Sequence, residues 1–321
     1  MALLETSNLH VRFKLLEGVS HVLNGVNLSI ERGERVAIVG ESGCGKSLTI
    51  RAMMGLLQQR NVAIEGSVRF DGSELLSLSE RHWRKIRGRR ISMIFQDPSA
   101  ALNPTFTVGD QLLKVIIRGG SARNKRQARE IARDALRQVA ITDPDRILHS
   151  YPFQLSGGLA QRVLITMALV NKPDLVLADE PGSALDVTVQ EQTLKLMRKL
   201  GDERGVAVLV ITHNLGVVRE FAERVYVMYG GSMVEEADVE TLFNAPRHPY
   251  TRALLAAVPR LTGKSLPQPI EGVVPDYTAA PSGCRFHPRC PHVMPACHQP
   301  PPVIDLGNGH RVACVLAETE T

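Results

Sequence analysis

The strongest constraint on this chain is eight residues long. Gly40-Glu41-Ser42-Gly43-Cys44-Gly45-Lys46-Ser47 satisfies the pattern G-x-x-x-x-G-K-[ST], and it follows the apolar run Val36-Ala37-Ile38-Val39 of an expected strand over residues 34–39. Beyond the loop, Leu48, Ile50, Met53, Met54 and Leu57 fall near helical spacing, so the loop joins a buried strand to a helix. Phosphates bind at such a joint. The glycines let backbone N–H groups turn toward a β-phosphate at the helix N-terminus, Lys46 reaches the β- and γ-phosphates, and the Ser47 hydroxyl ligates Mg2+. The plain alternative is a glycine-rich turn without function, and the strand-loop-helix context argues against it. Gly40, Ser42, Gly43, Cys44, Gly45, Lys46 and Ser47 are therefore the candidate phosphate-loop contacts to a nucleotide, with the Cys44 side chain itself read as structural.

The later apolar runs 175–178 and 206–211 are near-continuous, as in parallel strands covered on both faces. Between an expected strand at 91–95 and the one at 175–178, Ala128, Ile131, Ala135, Leu136 and Val139 mark one face of an amphipathic helix over residues 124–140. The expected fold class is thus α/β, with a helical region inserted between two core strands. The run 175–178 delivers Asp179 and Glu180 at its end. Alone, such a pair is more often a solvated strand end; after a phosphate loop, Asp179 is expected to hold Mg2+ through water and Glu180 to act as general base on the attacking water. Loop and carboxylates together predict a nucleoside triphosphatase.

Leu155-Ser156-Gly157-Gly158-Leu159-Ala160-Gln161-Arg162 places a serine and two glycines at the opening of a helix, which makes a second anion-binding N-terminus. Here the chain resembles the ABC ATPases, whose signature reads LSGGQ or a close variant. The resemblance implies the ABC form of the phosphate-loop NTPase core, in which Ser156, Gly157 and Gly158 complete the ATP site of a partner in a head-to-tail dimer. It also implies a Q-loop at Gln96, contributing to Mg2+ and to catalysis, a D-loop over Ser183-Ala184-Leu185-Asp186, and a switch histidine at His213. Lys46, Gln96, Glu180 and His213 are then the catalytic set. Phe13 is a candidate for stacking on adenine, although a lone aromatic in a strand is more often core.

Within that group the resemblance narrows to the ATPase subunits of dipeptide, oligopeptide and nickel importers. It is carried by Gln96-Asp97-Pro98 with Leu102-Asn103-Pro104, by Arg247-His248-Pro249-Tyr250-Thr251, and by Gly283-Cys284-Arg285-Phe286 with Pro288-Arg289-Cys290-Pro291. It implies a nucleotide-binding domain over residues 1–240, with a helical subdomain at about 97–165, and a small cysteine-containing extension over 241–321. Composition turns proline-rich after Val239, in keeping with a linker. Implied partners are a sister ATPase, two integral membrane permease subunits and a periplasmic or extracellular solute-binding protein. The implied place is the cytoplasmic face of the inner membrane. Three departures stand out: Gly182-Ser183 in place of two threonines, Asn214 in place of Asp after the switch histidine, and Leu159-Ala160 inside the signature. The phosphate-contacting residues are untouched, so an active ATPase is expected, with slower turnover conceivable from the lost charge at Asn214.

Of five cysteines, Cys284, Cys290, Cys297 and Cys314 cluster near the end, with five, six and sixteen residues between them. These gaps are too wide for paired C-x2-C zinc knuckles. By resemblance the four would ligate a 4Fe-4S cluster, with Zn2+ as the alternative. His287, His292, His298 and His310 lie nearby and are read as solvent-exposed loop residues, one of which could replace a ligand.

Charge and hydropathy exclude little else. The net charge of +5 would permit nucleic acid, anionic lipid or nucleotide as partner. The densest basic run, residues 81–90, contains one aromatic, Trp83, in no nucleic-acid module, and is read as a solvated face. A soluble ABC ATPase acting on ribosomes or DNA is the rival class; the single phosphate loop and the lack of heptads speak against it and against a nucleic-acid partner. No run approaches the roughly 20 apolar residues of a membrane-spanning helix, and the opening MALLETSNLHVRF lacks the build of a secretion signal.

Overall fold

A computed structural model describes residues 2–57, 60–182, 187–258 and 269–318. In chain order come β1 (Leu4–Leu15), β2 (Gly18–Ile30), β3 (Arg35–Val39), α1 (Lys46–Met53), β4 (Val62–Phe70), β5 (Ser73–Glu74), α2 (Glu80–Ile86) and β6 (Ile91–Ile94). A helical run follows: α3 (Pro98–Ala101), α4 (Val108–Gly119), α5 (Lys125–Gln138), α6 (Pro144–His149) and α7 (Gly157–Leu169). The chain continues through β7 (Leu175–Asp179), α8 (Val187–Arg204), β8 (Ala207–Ile211), α9 (Leu215–Phe221), β9 (Arg224–Tyr229), β10 (Ser232–Asp238), α10 (Val239–Asn244) and α11 (Pro249–Ala256). Two short strands, β11 (Val303–Asp305) and β12 (Arg311–Ala313), come last.

The chain divides into two compact units, Met1–Ile30 with Arg35–Ser77 and Ile211–Thr321, and Glu31–Glu34 with Leu78–Val210. In the first unit an antiparallel sheet runs β2-β1-β4-β5, and a second set of strands runs β11-β12-β10-β9-β3. There β3 and β9 are parallel, with Val36 opposite Arg224 and Val39 opposite Val227. In the second unit the order is β8-β7-β6, and β6 and β7 are parallel, with Ile94 opposite Ala178. All five residues of β7 and of β8 are buried, and so are four of the five in β3. This is the physical meaning of their uninterrupted apolar sequence: neither face meets water.

Between β6 and β7, the helix expected over residues 124–140 is found as α5. Helix α5 starts at Asn124, whose side chain accepts from the Gln127 N–H at 2.9 Å, and it buries Ala128, Ala132 and Leu136 along one face. Helix α4 is capped by Thr107, which accepts from Asp110 N–H at 3.1 Å, and it ends at Gly120 in the left-handed region. The basic run around α2 is less solvated than its composition implies. Trp83 is buried, the Arg87 guanidinium lies 4.5 Å from its ring centre, Arg89 donates to the Arg118 carbonyl, and Arg90 pairs with Asp174 at 2.7 Å. Arg81, Arg84, Lys85 and Arg89 are exposed, as expected of a solvated face.

The cysteine-bearing segment is packed through aromatic rings. Buried Phe286 meets Tyr229 edge-on at 5.0 Å between ring centres, Tyr250 at 5.3 Å and His248 at 5.9 Å. Buried Glu235 on β10 accepts from the N–H groups of Arg247 and His248 at 2.7 and 2.9 Å, and lies 2.8 Å from His310 Nε2. His310 is therefore buried on a carboxylate, which corrects its reading as an exposed loop residue. Phe286→Ala removes the ring that fills this cluster; a loss of about 3–5 kcal/mol is expected, read as a lower urea midpoint.

Candidate functional site

The phosphate loop is shaped by close approach. A Cβ on Gly40 would sit 2.2 Å from the Met228 carbonyl of β9, and one on Gly45, at φ +109°, would sit 2.8 Å from Leu23 Cδ2 of β2. Only glycine lets the loop pass so near both strands. Lys46, 5% exposed, donates from its ammonium to the carbonyls of Gly40 at 2.7 Å and Glu41 at 2.9 Å. Cys44 is wholly buried, its thiol pushed up by desolvation, and its carbonyl accepts from Gly231 N–H at 2.8 Å. Ser47 opens α1 beside Lys46.

Phe13 stands on β1, half-buried, paired in register with Ser20 of β2 and Val62 of β4. His213 follows β8 and is exposed. The departure at Asn214 has a local reason: its side-chain oxygen caps α9 by accepting from Gly216 and Val217 N–H groups at 3.1 and 3.4 Å, a task asparagine performs as well as aspartate.

The second unit brings two expected residues together. Because β6 and β7 are parallel neighbours, the residues just past their ends converge, and Gln96 Nε2 donates to Glu180 Oε2 at 3.0 Å. Glu180 holds a left-handed backbone, φ +45°, which costs a non-glycine residue about 1 kcal/mol or more and is typical of functional turns. Asp179, directly before it, is 3% exposed at the end of β7. Ser156 caps α7, accepting from Leu159 N–H at 3.4 Å, so Gly157 and Gly158 form the first turn of a thirteen-residue helix with its N–H groups at the open end. By chemistry alone, the Ser47 hydroxyl in the first unit and, in the second, the Gln96 amide and the Asp179 carboxylate are hard oxygen donors of the kind Mg2+ takes. Asp186, with the rest of the expected D-loop, lies outside the described residues.

The four clustered cysteines meet. Cys284, Cys290, Cys297 and Cys314 all line one cavity, with His248, His287, His292 and Phe286 in its wall. Burial pushes the Cys284 thiol up to about 11 and raises those of Cys290 and Cys314. None of the five cysteines forms a disulfide. Among the described residues no group of three or more His, Cys, Asp or Glu side chains is arranged to hold a metal ion, so the gathering of thiols expected from the sequence is present and the ligand spacing is not. One orphaned atom bears on what the cavity fits. His248 is 1% exposed, burial pushes it down to about 3, and its Nδ1 accepts from Tyr250 N–H at 3.0 Å. The proton therefore sits on Nε2, which has no protein partner. A sulfur acceptor in the thiol cavity would satisfy that donor.

Sequence reasoning missed the supports behind the phosphate loop. Glu41 N–H donates to Tyr250 Oη at 2.8 Å, the Glu41 carboxylate pairs with Arg289 at 2.7 Å, and Tyr277 Oη donates to the Gly43 carbonyl at 2.7 Å. Tyr250 and Arg289 lie in two of the stretches that carried the family resemblance; nothing in the spacing of either pointed to the loop.

Residues 23–183 match the family model described as ABC transporter, and residues 234–297 match the one described as oligopeptide/dipeptide transporter, C-terminal region. The chain is 46% identical to a probable peptide ABC transporter ATP-binding protein of Sinorhizobium fredii, over 97% of this chain and 94% of that one. It is 45% identical to the dipeptide transport ATP-binding protein DppD of Bacillus subtilis, over 98% and 95%. Among solved structures it resembles the ATP-binding cassette MJ0796 in a dimeric post-hydrolysis state bound to ADP and Pi, with a TM-score of 0.66 and 32% identity over 74% of this chain and 98% of that chain. Gly40→Ala should abolish ATP binding, measured by titration with a fluorescent analogue, since the added methyl has no room against the β9 backbone. The chain is an ATPase belonging to the ABC transporter family, in the group of ATP-binding subunits that carry the oligopeptide/dipeptide C-terminal region.

Proposed function

We propose that this chain is the motor of an importer for di- or oligopeptides. The names of its relatives over nearly the full length support the solute class. The single observation that carries the catalytic reading is the Gln96–Glu180 hydrogen bond, which sets a candidate general base beside an amide able to follow the γ-phosphate. Lys46 and the loop amides bind the β- and γ-phosphates, while Ser47, Asp179 and Gln96 would hold Mg2+, which neutralises charge on the transferring phosphoryl group. Glu180 takes the proton of the attacking water, His213 contacts the γ-phosphate, and Phe13 stacks on adenine. Ser156, Gly157, Gly158 and Asp186 act on the nucleotide of a sister ATPase in a head-to-tail dimer. ATP closes the pair and hydrolysis reopens it.

Residues 1–240 form the nucleotide-binding domain, with its helical subdomain at about 97–165, and residues 241–321 the extension. The helical subdomain would offer the contact to two membrane permease subunits: Tyr151 and Phe153 stack with 5.6 Å between ring centres, and both are exposed, as is Phe106. Exposed rings of this kind would supply apolar area to such a contact. No helix among the described residues is long and apolar enough to cross a membrane, so attachment at the cytoplasmic face would be through those subunits, with a solute-binding protein on the far side. Glu180→Gln in the assembled complex is expected to lower ATP turnover by about 100-fold or more while ATP still binds; undiminished turnover would remove Glu180 from its role.

The thiol cavity is best read as the seat of a 4Fe-4S cluster held by Cys284, Cys290, Cys297 and Cys314. Two features support this over zinc. A single zinc ion needs four sulfurs about 2.3 Å from one point, and no such grouping stands among the described residues. The His248 N–H would also gain a sulfur acceptor. Anaerobic purification of the full chain should then yield iron and acid-labile sulfide in equal amounts; zinc in their place would favour the alternative, and neither metal would end the cofactor reading.

A further inference from the structure

The extension reaches the phosphate loop from behind, and it does so through side chains. Arg289 is the centre of this contact. Its side chain is 5% exposed, and its guanidinium donates to both Glu41 carboxylate oxygens at 2.7 and 3.1 Å. The remaining donors go to the Glu271 carbonyl at 2.7 Å, the Ile270 carbonyl at 3.1 Å and Tyr229 Oη at 3.2 Å. A fork bonded on both sides and buried has one geometry, so its carboxylate partner is held in one geometry too.

Two tyrosines act at neighbouring points. Tyr250 Oη receives the Glu41 N–H. Tyr277 accepts from His21 N–H at 2.9 Å through its carbonyl, which anchors it on β2, and its hydroxyl reaches the Gly43 carbonyl. Together with the Lys46 ammonium on the carbonyls of Gly40 and Glu41, these bonds pin the peptide planes 40–41, 41–42 and 43–44. All of these residues belong to the same compact unit.

A phosphate loop binds well only in the shape that aims its N–H groups, and its glycines leave other shapes open. Apparent affinity falls by the fraction of time the competent shape is populated. We propose that Arg289 and Tyr277 of the C-terminal extension are positioning residues for nucleotide binding, clamping the back of the phosphate loop at Glu41 and Gly43. The extension is in this respect part of the ATP site. The turn that carries Arg289 also carries Cys284 and Cys290, since His287 N–H bonds the Cys284 carbonyl and Cys290 N–H bonds the His287 carbonyl, so clamp and thiol cavity share one piece of backbone.

The test is titration of the full-length chain with a fluorescent ATP analogue, with thermal melting in parallel; the wild-type titration itself checks the ATPase reading on which the inference rests. Arg289→Gln should weaken binding about tenfold and Tyr277→Phe about threefold, the scale of a charge-assisted and a neutral hydrogen bond. In a Glu41→Gln background, Arg289→Gln should add little, because the pair is already broken. Tyr277→Phe removes one hydroxyl and keeps the ring, so it remains informative if the arginine variant folds poorly. Wild-type affinity in a folded Tyr277→Phe chain, or fully additive effects of the Glu41 and Arg289 substitutions, would overturn the proposal.

Discussion

Most of this structure answers to one constraint: a loop that must present backbone N–H groups to phosphate cannot use them to hold itself in shape. In helices and sheets the backbone is its own scaffold. Here the scaffold is made of side chains and of neighbouring strands. The β9 backbone at Met228 presses on Gly40, Leu23 presses on Gly45, and Lys46 ties two carbonyls together. The first unit is built around that requirement, from the long β1–β2 hairpin on one side to the extension on the other.

The second unit solves a different problem by strain and register. Two parallel strands end side by side, and the chain leaves β7 through a left-handed glutamate. The turn aims Glu180 at Gln96, whose own strand ends at the same level. A one-residue slip of β6 against β7 would part them. The cost of the left-handed residue is borne by a strand that has nowhere else to go.

The extension makes its contacts from an unusual inventory. Aromatic rings from β9, α11 and the cysteine-bearing segment pack at tilted and edge-on angles, a buried carboxylate on β10 gathers two backbone N–H groups and a histidine, and one arginine spans from the thiol turn to the phosphate loop. Four thiols and a donor without a protein partner share the cavity beneath. Polar groups placed so deep fix one arrangement of the segment, since each has a single partner geometry that satisfies it.

The sequence by itself determined the strand-loop-helix joint, the α/β class, the buried strands and the amphipathic helix α5, because each rests on local periodicity or on a residue pattern with one chemical use. It also named Glu180 and Ser156, at element ends that hydrophobic patterning locates, while Gln96 was named by the resemblance to the ABC ATPases. Three things were decided only in three dimensions. Gln96 and Glu180 touch because of strand order, which no local pattern encodes. His310 is buried because a carboxylate from β10 lies 75 residues away in sequence and beside it in space. Tyr250, Tyr277 and Arg289 grip the phosphate loop from more than 200 residues downstream, and a hydrogen bond between such distant residues leaves no periodic trace in either.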